Sequence, residues 1–534
     1  MTTTAIVIGG GIAGLASAAL LARDGYDVTL IEKHAEVGGR AGSWEHKGFR
    51  FDTGPSWYLM PEVFDHFYKL MGTSSAEQLT LQKLDPAYRV LFEDDGVYPS
   101  RPVDVRADRE ANLDLFESIE PGSRPAMIRY LDSAKDTYDM AVKRFLYTSF
   151  EKFGPLLRAD VLARSGKLTR LLREPLSKFA ARHVSDPRLQ KILGYPAVFL
   201  GSSPFITPSM YHLMSYLDME DGVLYAQGGF TRVIHSIRDI ALAAGVHLIT
   251  EASVTRIVTA VNPAGHHKKA QAIGVEYTSK KGETLRLAGD VVVSAADLHF
   301  TETKLLPETL QTYNAAWWAK RTAGPSAVLL YLGVTGEVPE LEHHTLLFTN
   351  DWDENFGKIF TEPTSVPDPA SIYVCKPSVI DPDVAPAGDT NLFVLVPIPA
   401  DPSIGSGGLD GAGSAQVEAI ADNVIEQIAT WAGIPDLAQR IVVRRTVGPA
   451  DFVDDLNSWR GSALGPSHIL SQSAFFRAGN VSKKVDGLFY AGGTTIPGIG
   501  LPMCLISAEI LVKRLRGDTT TEPLPEPLFP TVDR

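Results

Sequence analysis

The chain is predicted to be an α/β protein, with a Rossmann-like dinucleotide-binding domain assembled from separated stretches and a discontinuous α+β second lobe that carries a helical region. Three observations predict it. A strand–glycine–helix–strand–acid unit occupies the first forty residues, and a second strand-and-glycine unit stands near the carboxyl end. Between them, at a total length of 534 residues, lie more strands and helices than one ordinary domain holds.

The amino-terminal unit is justified piece by piece. Ala5-Ile6-Val7-Ile8 is a short apolar run, the pattern of a strand buried on both faces. Gly9, Gly11 and Gly14 follow in GxGxxG spacing. Gly9 permits the tight turn, Gly11 keeps a Cβ away from a pyrophosphate, and Gly14 lets the following helix pack against the sheet. That Ala/Leu-rich helix, Leu15 to Arg23, stops at Gly25, and its N-terminus suits phosphate charge. Val28 to Ile31 is the next strand, and Glu32 closes it at the place where a carboxylate takes ribose hydroxyls, which disfavours a 2′-phosphate.

Composition narrows the classes. A net charge of −13 argues against nucleic acid as a partner. The two cysteines, Cys375 and Cys504, form no CxxC pair or disulfide framework, which fits a reducing cytoplasm. No apolar run reaches the ~18 residues that span a bilayer, so the expectation is a soluble or peripheral protein.

Glu36-Val37-Gly38-Gly39-Arg40-Ala41-Gly42 adds glycines and an arginine directly after the acid. Here the chain resembles the FAD-dependent amine oxidase and carotenoid desaturase superfamily. The resemblance implies FAD as cofactor, with Arg40 near its phosphates and Gly38 and Gly39 allowing close backbone approach. Phe51-Asp52-Thr53-Gly54-Pro55-Ser56 is similar to the superfamily stretch that returns to the flavin, and Gly228-Gly229 to another of its elements, with Ala226 in place of a proline. The resemblance also places the backbone of Val254 on the adenine side.

The remaining elements follow in order. Tyr88 to Val105 reads as short strands around the turn Glu93 to Gly96, and residues 109 to 190 as mainly helical. Ile192 to Met219 is aromatic and Met-rich but broken by Gly and Pro, which suits buried core or the wall of a long apolar pocket equally. Strands are expected at Val246–Ile249, Val254–Val258, Ala272–Tyr277 and Thr284–Leu287, with a hairpin loop at Asn262–Lys269. Further strands are expected at Ala327–Val334, Ser371–Cys375 and Leu392–Val396, a mobile Gly/Ser-rich loop at Ile404–Ala415, and a helix at Gln416–Ala432.

Leu488-Phe489-Tyr490-Ala491-Gly492-Gly493-Thr494-Thr495-Ile496-Pro497-Gly498-Ile499-Gly500-Leu501-Pro502 resembles the carboxy-terminal signature of bacterial- and fungal-type phytoene desaturases. Thr494 replaces a glycine of that signature and Ile496 a histidine. A helix beginning near Pro502 would favour negative charge on a reduced flavin ring.

The resemblance implies stepwise dehydrogenation of phytoene towards lycopene by hydride transfer to flavin N5, with oxygen or a quinone as final acceptor. It also implies a lipophilic polyene substrate and peripheral attachment to a membrane surface; oligomeric state stays open. Other carotenoid oxidoreductases (a C30 desaturase, ketolase or isomerase) remain alternatives, and a non-catalytic prenyl-lipid escort is a remoter one. The FAD contacts so implied are Gly9, Gly11, Ile12, Ala13, Gly14, Glu32, Lys33, Gly39 and Arg40 at the first motif. Gly54, Pro55, Ser56 and Val254 follow, then Gly492, Gly493, Gly500 and Leu501. No acid–base dyad stands out; Glu151 is a candidate by position. Residues 1–105, 222–300 and 478–517 are assigned to the FAD-binding domain, 106–221 to a helical substrate- or membrane-facing region, 301–477 to the substrate-binding domain, and 518–534 to a disordered tail.

Overall fold

The computed structural model describes residues 2–94, 96, 101–151, 164–261 and 270–530. The loop expected at Asn262–Lys269 lies outside the described residues.

A five-stranded parallel sheet organises the nucleotide end. Its order is Leu488–Tyr490, Val291–Ser294, β1 (Thr4–Ile8), β2 (Asp27–Ile31) and His247–Ile249, so stretches far apart in sequence become neighbours. β1 is buried on both faces, as its unbroken apolar run requires. Ala5 and Val7 pack with the helices, whereas Ile6 and Ile8 face the antiparallel ladder of Ser253–Val261 and Ala270–Thr278. Helix α1 (Ile12–Arg23) has every residue buried except its last, because helices Gly229–Ala243 and Leu501–Leu515 flank it.

A seven-stranded sheet forms the second lobe, in the order Ile441–Val447, Ser326–Val334, Thr390–Ile398, Ile372–Cys375, His344–Phe348, Tyr88–Phe92, Val103–Val105. All nine residues of Ser326–Val334 are buried, and they divide by the two-residue period of a strand. Val328, Leu330, Leu332 and Val334 pack towards helix Ala415–Ala432, while Ala327, Leu329 and Tyr331 face the other way, with Phe49, Phe51 and Phe393.

Three expectations need correction. Tyr88–Phe92 and Val103–Val105, assigned to the FAD-binding domain as part of residues 1–105, belong to the seven-stranded sheet: Tyr88–Phe92 pairs in parallel with His344–Phe348. The glycine-rich stretch after Ile404 is pinned rather than loose. Thr446 N donates to Gly408 O at 2.8 Å, and a Cβ on Gly407 would lie 2.1 Å from Thr446 O, so glycine permits the approach.

The segment assigned as a disordered tail is docked as far as residue 530. Leu524 and Leu528 are buried in the helical core of the nucleotide end. Lys513, itself fully buried, donates through Nζ to the carbonyls of Tyr147 (3.0 Å), Thr520 (2.9 Å) and Glu522 (2.6 Å). Its proline content was consistent with disorder; a buried ammonium that needs tail carbonyls overrides composition.

Candidate active site

The turn after β1 is built by two different demands on glycine. At Gly14 the demand comes from the protein: a Cβ there would lie 1.9 Å from the carbonyl oxygen of Gly9. At Gly11 it does not, since the nearest protein atom to an added Cβ is 3.9 Å away. Open room in front of a glycine at the head of α1 suits a ligand approaching its backbone.

Glu32 is buried, and both its oxygens are already engaged once: Oε2 accepts from Gly10 N at 2.6 Å and Oε1 from His34 N at 2.8 Å. Each carboxylate oxygen retains a lone pair for a further donor. Lys33 Nζ donates to Asp454 O at 2.7 Å. Arg40 reaches across to the other lobe, donating from Nε to Ala463 O (2.8 Å) and from Nη2 to Ser458 Oγ (3.0 Å).

Asp52 is not at the cradle wall. Its carboxylate accepts from Phe230 N (2.7 Å), Thr231 N (3.0 Å) and Thr231 Oγ1 (2.7 Å), joining the Phe51–Ser56 stretch to the start of helix Gly229–Ala243. Burial pushes its carboxyl up, against these hydrogen bonds and Arg50. Gly54, Pro55, Ser56 and Val254 line the cavity described next.

The carboxy-terminal motif arrives beside the first. Strand Leu488–Tyr490 leads to Gly492, where an added Cβ would sit 3.6 Å from the Cβ of Ala13. Helix Leu501–Leu515 begins directly after Gly500, as the sequence implied. Gly9, Gly11, Ile12, Ala13, Glu32, Lys33, Gly39 and Arg40 therefore share one cavity with Gly492, Gly493, Gly500 and Leu501. Gly14 stands behind the wall.

Two residues escaped sequence reasoning. Arg477 is buried and donates to the carbonyls of Gly493 (2.5 Å), Thr495 (3.1 Å) and Gln472 (3.4 Å), holding the glycine turn; burial pushes its guanidinium down to about 10. His468 stands against Gly498, where a Cβ would be 2.3 Å from its Nε2, and burial keeps the imidazole neutral. The motif lacks its histidine at Ile496, yet an imidazole is supplied there from another segment. An arginine inside the short apolar run from Ala474 to Ala478 was the one available signal.

The cavity is large, about 1140 Å³, and runs from the cradle into an apolar end walled by Trp57, Phe199, Leu213, Phe348, Trp352 and Phe356. Leu329, Tyr331, Phe393 and Leu395 of the seven-stranded sheet also line it. The segment left open between core and pocket serves both: Tyr195, Val198, Phe199, Leu200, Tyr211, Leu213, Met214 and Leu217 line the cavity, while Ile192, Leu193 and Met219 are core. Polar groups in this wall are few; Ser56 Oγ lies 2.6 Å from Tyr373 Oη, which is 2.7 Å from His344 Nδ1. Glu151 is withdrawn as a catalytic candidate: it is exposed, paired with Arg514, and absent from the cavity wall.

Comparison with known proteins agrees with this geometry. The model of the family described as flavin-containing amine oxidoreductase matches residues 12–515. The chain is 39% identical to a carotenoid 3,4-desaturase of Haloarcula japonica over 516 residues, 96% of this chain and 98% of that protein. It is 30% identical to a 4,4′-diapophytoene desaturase (4,4′-diaponeurosporene-forming) of Staphylococcus aureus, over 96% of this chain and 98% of the relative. Among solved structures, an oxidoreductase of Methanosarcina mazei superposes with a TM-score of 0.59 at 16% identity, covering 96% of this chain and all of that one.

Proposed function

The chain belongs to the flavin-containing amine oxidoreductase family and, within it, to the carotenoid desaturases, FAD-dependent oxidoreductases acting on CH–CH bonds; from this we propose that it desaturates an extended acyclic carotenoid at the terminal 3,4 bond. The observation that carries the reading is the single cavity joining a nucleotide cradle to a long apolar channel. The choice of bond is supported by the similarity to the Haloarcula japonica 3,4-desaturase. Dehydrogenation of phytoene towards lycopene is the second reading, favoured by the carboxy-terminal signature but weakened by Thr494 and Ile496.

The residues present fit FAD: the room before Gly11, the free lone pairs of Glu32 and the head of α1 match a dinucleotide's pyrophosphate and ribose. When bound, FAD supplies a two-electron acceptor for hydride. The chain's own part is to bind, orient and exclude water. A polyene offers nothing to hydrogen-bond, so its affinity comes from burial against Trp57, Phe199, Leu213, Trp352 and Phe356, worth about 25 cal/mol per Å² of apolar surface. The proton that leaves with the second C–H bond needs no strong base, since positive charge left on a polyene is delocalised.

Peripheral contact with a membrane is part of the reading, because the substrate is lipid-soluble. No described helix is long and apolar enough to cross a membrane. Ile206, Leu470 and Phe476 are exposed on segments whose neighbours Leu200, Tyr211 and His468 line the cavity, which supports an apolar mouth there. Oxygen or a quinone would take the electrons onward.

Purified FAD-loaded protein given lycopene or phytoene in liposomes tests the proposal. A longer-wavelength product from lycopene alone supports 3,4-desaturation, and coloured products from phytoene support the second reading. Conversion of neither, or a colourless protein without flavin, overturns both.

A further inference from the structure

Behind the cavity wall, three side chains that the chemistry above does not use converge. His344 and Cys375 face one another across antiparallel strands His344–Phe348 and Ile372–Cys375, so both project from the same face of the sheet. His343 lies one residue outside the strand, where strict alternation no longer holds, and its ring centroid is 4.5 Å from that of His344. One ligand atom from each of His343, His344 and Cys375 lies within 4.8 Å of the other two, and all three residues are buried.

The polar atoms here are poorly served by the protein. Among the described residues, neither ring nitrogen of His343 has a hydrogen-bond partner, and neither does His344 Nε2. Buried polar groups are normally paired, and each exception calls for an explanation. The cation nearest in sequence, Lys376, is turned away, donating through Nζ to Val338 O at 2.7 Å. Asp381 is engaged by Tyr225 Oη and Gly228 N, both at 2.8 Å.

We propose that His343, His344 and Cys375 bind one thiolate-seeking metal ion, zinc or cuprous copper. Two imidazoles and a thiol are a soft-to-borderline donor set that suits such ions and not calcium or magnesium. His344 ligates through Nε2; its Nδ1–H then donates to Tyr373 Oη, the outer hydrogen bond that metal-bound histidines usually make. His343 ligates through either of its unpaired nitrogens. Cys375 gives up its thiol proton to solvent as the metal–sulfur bond forms, with no change of oxidation state.

The ion would fasten two strands together directly behind the channel. His344 stacks on Trp57 with centroids 4.4 Å apart and an interplanar angle of 11°, and Trp57 and Tyr373 both line the cavity. The role is thus to position that wall.

The test uses untagged, FAD-loaded protein. Elemental analysis is expected to find one equivalent of zinc or copper per chain, the element deciding between them. After chelation, titration with Zn²⁺, Cu⁺ or Co²⁺ should restore one equivalent, and Co²⁺ should show a thiolate charge-transfer band. Cys375→Ser should abolish that band, and His343→Ala should lower occupancy at least tenfold, with flavin absorbance reporting the fold. If these variants fail to hold FAD, the wild-type cobalt spectrum decides alone. Protein that retains no metal and takes up none of the three ions, or that binds cobalt without the sulfur band, overturns the proposal.

Discussion

The carbonyl oxygen of Gly9 occupies the place where a Cβ of residue 14 would stand, 1.9 Å from it, whereas among the described residues the nearest atom to such a carbon on residue 11, its chain neighbours aside, is Gly38 O at 3.9 Å. The two glycines should therefore fail differently. Gly14→Ala collides with backbone and is expected to cost at least the ~1–3 kcal/mol typical of overpacking, seen as a lower melting temperature even without FAD. Gly11→Ala should leave the flavin-free melting temperature unchanged. Its FAD affinity should fall tenfold to a hundredfold, about 1.4–2.8 kcal/mol, by fluorescence titration.

Glu32 supports the cradle as well as offering oxygens to it. Glu32→Gln presents an amide nitrogen to one of the two N–H groups at Gly10 and His34, leaving a buried donor unmet at a cost of about 1–3 kcal/mol. Both thermal stability and FAD affinity are expected to fall, and equilibrium dialysis of FAD against the variant checks the second.

His66 predicts a pH effect where the tail docks on helix Leu501–Leu515. Burial opposes its charge, but hydrogen bonds and charge from Glu509 and Glu526 outweigh it, so its pKa is raised above 6.5. A raised folded value means that the stabilisation is fully present below about pH 6.5 and is lost as pH rises through the folded pKa. Glu526 lies in the docked tail, so limited proteolysis of the tail should accelerate above neutrality. His66→Gln should remove that pH dependence; a tail cut at the same rate at pH 6 and pH 9 in the wild type would contradict it.

Ending the chain after Gly517 removes two of the three carbonyls around Lys513 Nζ and exposes the surface under Leu524 and Leu528. Each lost leucine should cost about 1.5–3 kcal/mol. The expected result is a clearly lower melting temperature with FAD stoichiometry unchanged, read by differential scanning calorimetry and flavin absorbance.

Glu151→Gln should leave turnover within about twofold of wild type. The side chain pairs with the largely buried Arg514 and lines no part of the cavity, so losing its charge bears on stability rather than on turnover. A loss of turnover with the flavin still bound would return Glu151 to the reaction.

The nucleotide cradle was legible because its demands are local. Gly9, Gly14 and Glu32 answer to backbone geometry within a single strand–turn–helix unit, and helix Leu501–Leu515 is announced by its own glycines. What could not be read depends on partners distant in sequence. Tyr88–Phe92 looks like any short strand, and only its ladder with His344–Phe348 assigns it to the second lobe. The tail looked unstructured because the groups that hold it, Lys513 and the surface over Leu70, belong to other elements. Arg477 and His468 carry no motif; their importance lies in the turn they meet in space.

Ser326–Val334 carries a consequence for how such proteins diversify. Ala327, Leu329 and Tyr331 line the bore and also pack on Phe49, Phe51 and Phe393, whereas Val328, Leu330 and Leu332 face the interior, so a change of volume at the first three reshapes the bore and must be absorbed by one aromatic cluster. The shape of the accepted hydrocarbon is thereby tied to the packing of that cluster, one alternate position at a time.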